Sequence, residues 1–190
     1  MIDIPVGRGA KIEDLSEAKA LKFKFKSIAK KLGMKIKVVI TDGSSPIGKG
    51  IGPALEARDV LWTLSNDPRG CKDLREKGME LATKLLKLAG EPKAKKKVSE
   101  LMESGKAYEK FIEIIRAQGG KEIHASDINL GKNSLDIRAS ESGIITFIDN
   151  KFVNRVARIA GAPTDKEAGM YLYIRKGDIV SKGQKLFTIY

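Results

Sequence analysis

The chain has 190 residues, 42% of them apolar, which suits one large or two small globular domains; no apolar run reaches the roughly 18 residues of a membrane span, and no secretory leader pattern opens it. The net charge of +12 attracts phosphates in general, but the lysines are mixed with 24 acids, their densest run is Lys93, Lys95, Lys96 and Lys97, and 6% aromatic content offers no stacking platform, so neither nucleic acid nor a membrane is expected as a partner. One cysteine, Cys71, rules out an internal disulfide and fits a reducing, cytoplasmic setting.

Met1 to Val6 is a short apolar segment. Pro5 cannot donate to a ladder, so the segment reads as an edge strand or the end of one. It runs into a tight turn, Gly7-Arg8-Gly9-Ala10-Lys11, with two glycines and two cations. Leu15, Ala18, Leu21, Phe25, Ile28, Ala29 and Leu32 then recur at helical spacing, with Gly33 placed as a C-cap. Ile36, Val38, Val39 and Ile40 form the β-branched run of a buried strand. Strand, helix and strand in that order imply a right-handed parallel crossover.

The loop from Thr41 to Gly52 follows that strand, and ligands of α/β proteins gather at the carboxyl ends of strands. Gly43, four residues, Gly48 and Lys49 match the opening of a phosphate-binding P-loop. The next position, however, is Gly50, where the motif needs a Ser or Thr hydroxyl for magnesium. Pro46 removes one amide from the cradle, and the helix waits until Pro53. A glycine loop shaped for close backbone packing is the expectation, and nucleoside triphosphate binding is not.

After Pro53 the pattern stays helical, with breaks at Asn66-Asp67-Pro68, Gly90-Glu91-Pro92 and Ser104-Gly105. The apolar stripes of these helices (Leu74, Leu81, Leu85; Val98, Leu101; Phe111, Ile112, Ile115) read as core faces and carry no spaced acids or hydroxyls for catalysis. Gly119-Gly120 marks an expected domain boundary, dividing the chain into 1–120 and 121–190. From Ile123 the period becomes alternating, with strands expected over Ser134–Ala139, Gly143–Ile148, Gly169–Ile174 and Gln184–Ile189 and one helix over Phe152–Ala160. The fold class is therefore α/β followed by a small α+β unit. His124 lacks cysteine or carboxylate company, and no metal site is expected.

Four segments carry a resemblance. They are Asp3-Ile4-Pro5-Val6-Gly7-Arg8-Gly9-Ala10-Lys11, Ile40-Thr41-Asp42-Gly43 with Pro46-Ile47-Gly48, Gly52-Pro53-Ala54-Leu55-Glu56-Ala57-Arg58, and Gly143-Ile144-Ile145 with Ile148-Asp149. In this order they resemble the thymidine and pyrimidine-nucleoside phosphorylases, and above all the archaeal AMP phosphorylase branch, to which Arg158-Ile159-Ala160-Gly161-Ala162-Pro163 is also similar. The resemblance implies phosphorolysis of a nucleoside 5′-monophosphate by orthophosphate, without metal or other cofactor, by an enzyme that self-associates. It also implies that the chain corresponds to the C-terminal part of such an enzyme, with a small barrel-sandwich-like domain at the end, and that the catalytic residues lie upstream. The turn Gly7, Arg8, Gly9, Ala10 and Lys11 would approach the base of the substrate. Lys11 stands where the thymidine enzymes carry a phenylalanine against the base, a departure that fits a different or more anionic substrate.

Two other readings stay open. Thymidine phosphorolysis is one. The other is a carrier or oligomerisation module, because Gly177-Asp178-Ile179-Val180 with Lys182-Gly183-Gln184 resembles half of a biotinyl or lipoyl domain, although no Met-Lys pair marks a modified lysine. Self-association is expected to use the apolar strand Leu186 to Tyr190, read as an open edge.

Overall fold

The computed structural model describes residues 1–121 and 124–190, so the Ile123 at which the period was expected to change lies outside the described residues. β1 (Ile2–Val6) and β2 (Val38–Asp42) pair in parallel, in register from Ile2 opposite Val38 to Val6 opposite Asp42. The connecting α1 (Leu15–Lys31) starts at Asp14, whose carboxylate accepts the Ser16 and Glu17 amides, and ends with Gly33 at φ +64°. Its inner face buries Ala18 against Ile4 and Val38, with Leu21 and Phe25 packed alongside. The strand–helix–strand unit is thus as expected. β2 sits two residues later than the apolar run suggested, because pairing with β1 sets its limits.

Within the expected loop, Gly50–Ile51 forms a two-residue strand, β3. Four helices follow: α2 (Pro53–Leu64), α3 (Lys72–Leu88), α4 (Ala94–Glu103) and α5 (Lys106–Ala117). Pro53 at the first helical position and the breaks at Pro68, Pro92 and Gly105 fall where the sequence places them. The C-terminal stretch gives β4 (Leu135–Arg138), β5 (Gly143–Ile144), α6 (Asn150–Ala160), β6 (Met170–Leu172), β7 (Ile179–Val180) and β8 (Lys185–Ile189).

The sheet order corrects one expectation. The larger sheet runs β3-β6-β8-β4, and β5 pairs with β7 separately. β8 therefore lies inside the sheet, flanked by β6 and β4, and it is not an open edge. The edge argument for self-association through Leu186 to Tyr190 falls with it. The same sheet also spans the boundary expected near residue 120: β3 is hydrogen-bonded to β6, and Leu55 and Trp62 of α2 pack on Tyr171. A second core lies between α6 and the C-terminal strands, built on Val153, Met170, Leu172, Ile174 and Val180.

Two glycines show how closely the loop fits. A Cβ on Gly50 would lie 2.5 Å from the Leu55 backbone carbon and oxygen, whereas Gly78, in α3, faces open space. Gly50→Ala is expected to lose about 2 kcal/mol of stability through overpacking, and Gly78→Ala to gain about 1 kcal/mol through helix propensity. Urea unfolding of both variants checks the pair; equal effects would mean that the loop yields freely.

Candidate functional site

The carboxyl ends of β1 and β2 lie side by side, so the segments that leave them meet. After β1 the chain turns back: the Gly7 amide donates to the Ile12 carbonyl at 3.2 Å, and the Ala10 amide to the Gly7 carbonyl at 3.0 Å. A Cβ on Gly7 would stand 2.6 Å from the Ser44 nitrogen, so only a glycine lets this turn lie against the loop after β2. That loop is fastened to β1 by the Gly43 amide, which donates to the Val6 carbonyl at 2.9 Å.

The third wall comes from the far end of the chain. Asn150, the first residue of α6, donates from Nδ2 to the Gly43 carbonyl at 2.9 Å and packs against Gly9. Lys151 pairs with Glu13 at 2.8 Å, and Glu13 also accepts the Gly9 amide. Glu13 is held below the usual carboxylate range, first by the Lys151 hydrogen bond and then by the Gly9 amide. The Arg8 guanidinium lies 4.5 Å over the ring of Phe147. Lys11 is exposed and has no hydrogen-bond or ionic partner among the described residues. The structure thus places Gly7, Arg8, Gly9, Ala10 and Lys11 together on one turn at the strand ends, against the loop and α6.

Beside this turn, a cleft of about 680 Å³ opens over Asp42, Ser44, Lys77, Arg175 and Lys176. Its charges are largely internal. Lys77 pairs with Asp3 at 3.1 Å, and the Thr41 hydroxyl donates to the other oxygen of Asp3 at 2.8 Å. Arg175 pairs with Asp73 at 3.2 Å. The Asp42 carboxyl is held below its ordinary range, first by the Ser44 amide, then by the Ser44 hydroxyl, with Lys176 and Lys77 adding to the effect. Glu76 and Glu80 also line the cleft, so its three cations face four carboxylates, a poor balance for a phosphate dianion.

The structure explains why the P-loop-like stretch is not one. A phosphate cradle needs free amides. Here the Lys49 and Gly50 amides both donate to Asp59 Oδ2, at 2.7 and 2.8 Å, and the Gly48 amide donates to Asp73 Oδ2 at 3.2 Å. The loop already holds an anion, the carboxylate of Asp59, which is 2% exposed. Around it lie Cys71, whose thiol burial and then Asp59 push up to about 11, and Tyr171, which burial and then Asp59 push up to about 12. Cys71 is thus an inert buried thiol.

Sequence reasoning missed Asp59, Asn150 and the Glu13–Lys151 pair. Asp59 had a signal: it is an acid four residues after Leu55 and three before Trp62, on the face of α2 that is otherwise apolar and buried. Asn150 and Lys151 had none, since their partners stand more than a hundred positions away.

Residues 144–190 match the pyrimidine nucleoside phosphorylase C-terminal domain. Over its whole length the chain is similar to AMP phosphorylases: 46% identical to that of Pyrococcus furiosus, 47% to that of Pyrococcus abyssi and 42% to that of Methanocaldococcus jannaschii. All of the chain is covered in each case, but it spans only 38% of the length of these relatives. The resemblance to the phosphorylases seen in four separate segments therefore extends along the whole chain.

Because Asp59 and Asp73 occupy the loop amides, ATP with magnesium is expected not to raise the melting temperature. A P-loop site at a hundred times its dissociation constant would add about 2.7 kcal/mol. A saturable rise that Lys49→Ala abolishes would contradict this assignment.

Proposed function

We propose that the chain is the C-terminal part of a phosphorylase that cleaves nucleoside 5′-monophosphates, with orthophosphate as co-substrate and no other cofactor. In the reaction an oxygen of orthophosphate bonds to C1′ of the ribose, the C1′–N bond breaks, and its electron pair leaves on the base, which takes up a proton. AMP and phosphate give adenine and ribose 1,5-bisphosphate. The observation that carries this reading is the 42–47% identity to AMP phosphorylases along the entire chain.

The turn Gly7 to Lys11 is this chain's contribution to the substrate site. Glycines at 7 and 9 bring its backbone close to Ser44 and Asn150, while Lys11 keeps an unpaired ammonium exposed beside the strand ends. The identity to AMP phosphorylases favours the monophosphate reading over thymidine phosphorolysis. The phosphate site and the proton donor belong to residues outside this chain. Catalysis of this kind rests on positioning two anions and assisting the leaving base, and two of the three cations in the cleft at the strand ends are already paired, to Asp3 and Asp73.

The finer fold and setting belong to the same proposal. β4 to β8 with α6 form a barrel-sandwich-like unit that braces the turn through Asn150 and Lys151. No helix among the described residues is long and apolar enough to cross a membrane, and a free buried thiol suits the cytoplasm. Self-association is supported by the cross-strand pair Ile144 and Ile179, 63% and 80% exposed.

The test is release of base from AMP in the presence of phosphate, run on the 190-residue chain and on a chimera carrying in front of it the preceding segment of the Pyrococcus furiosus relative. Turnover is expected from the chimera alone. Lys11→Ala in the chimera is expected to raise KM for AMP about ten-fold, the loss of one charge-assisted contact. Turnover by the short chain would place the active site within it, and an inactive but folded chimera would contradict the proposal.

A further inference from the structure

The outer face of α1 differs from every other lysine-bearing surface of the molecule. Between Leu15 and Lys37 the chain carries eight lysines (19, 22, 24, 26, 30, 31, 35 and 37) and one acid, Glu17, which accounts for seven of the twelve net positive charges. This segment carries more uncompensated charge in total than Lys93–Lys97, where Lys96 and Lys97 are paired. The helices after β3 pair most of their lysines with acids: Lys72 with Glu76, Lys84 with Glu80, Lys96 with Glu100, Lys97 with Glu91 and Lys110 with Glu113. Among the described residues no lysine of α1 has such a partner. Lys22, Lys26 and Lys30 instead follow one another at four-residue spacing, an arrangement in which like charges destabilise a helix.

An aromatic side chain stands in the middle of this face. Phe23 is 72% exposed, and Lys19, Lys26 and Lys30 lie four positions before it and three and seven after it, on the same side of the helix. The three lysines mark a stripe about 16 Å long. We propose that this face binds a single-stranded polynucleotide, with successive phosphates on the lysines and a base stacked on Phe23. Cations along a track with an exposed ring among them are the two elements of sequence-tolerant single-strand binding, and the placement of Phe23 among unpaired lysines reverses the expectation, drawn from overall aromatic content, that the chain has no nucleic-acid partner. An anionic bilayer fits less well, because a membrane-surface helix inserts a continuous apolar face, and α1 packs Ala18, Leu21 and Phe25 on β1 and β2, leaving Ile28 and Leu32 of that face exposed at its C-terminal end. The inference is independent of the proposed phosphorolysis and uses none of its residues.

The probe is a fluorescein-labelled 12-mer of oligouridylate, titrated with the 190-residue chain and followed by anisotropy at 50 and 200 mM salt. Three neutralised phosphates predict binding about 20-fold weaker at the higher salt. Changing Lys19, Lys26 and Lys30 together to Gln is expected to weaken binding at least ten-fold and to flatten the salt dependence. Phe23→Ala is expected to weaken it about five-fold while leaving the salt slope unchanged. Lys95, Lys96 and Lys97 changed to Gln should alter it less than two-fold. Circular dichroism confirms that each variant is folded, which the exposure of the changed side chains favours. The proposal is overturned if no binding occurs at 50 mM salt, if the Lys95–Lys97 variant loses more affinity than the α1 variant, or if phosphatidylserine vesicles retain the protein while the oligonucleotide does not.

Discussion

The fold depends on one carboxylate. Asp59, on α2, accepts the Lys49 and Gly50 amides on a single oxygen and is buried among Cys71 and Tyr171. Clasping those two amides holds the chain extended at Gly50 and Ile51, where it pairs with β6. The Lys49 carbonyl accepts the Leu172 amide at 2.8 Å, and the Lys166 carbonyl accepts the Ala54 amide at 3.0 Å at the start of α2. One side chain thus fixes the loop that joins the helices to the C-terminal sheet. Gly52 and Gly169 let the backbones meet there, since a Cβ on Gly169 would stand 2.2 Å from the Ile51 oxygen.

The same loop positions the candidate site. Its first half, Gly43 and Ser44, lies against the Gly7 turn and Asn150, and its second half is locked by Asp59 and Asp73. The turn proposed to meet the base is therefore braced by two distant segments, the loop after β2 and the start of α6, although it is itself exposed at Arg8 and Lys11. Bracing of this kind lets a loop residue hold a fixed place without being buried. Asn150 and the Glu13–Lys151 pair connect α6 to the turn, so a change in the C-terminal unit would be felt where the substrate is proposed to sit.

Much of this was legible in the residues, because the signals were local. Gly33 closes α1, Pro53 opens α2, and the Pro and Gly breaks separate α2 to α5 at the places where the helices end. β3 and β7 were not legible, since two residues carry no period and their partners lie far along the chain. β8 was taken for an edge because it comes last in sequence. Lateral order in a sheet is set by tertiary pairing, and β4 returns to cover its other side. The glycines and cations of the turn Gly7 to Lys11 mark it in the sequence, but what holds it is not marked, because Asn150 and Lys151 precede the helix expected over Phe152–Ala160 and their partners lie far along the chain. The glycine loop could be denied a P-loop role from Pro46 and Gly50, whereas the occupant of its amides could be seen only in three dimensions.

Native-state amide hydrogen exchange reads the Asp59 clasp directly. Orphaning two buried amides costs about 2 kcal/mol net, so Asp59→Ala should speed exchange about thirty-fold at Lys49, Gly50 and the paired Leu172 amide together, while the amides of α4 keep their protection. If Lys49 and Gly50 already exchange freely in the unaltered protein, or if Leu172 stays fully protected in Asp59→Ala, the clasp does not join the helices to the sheet.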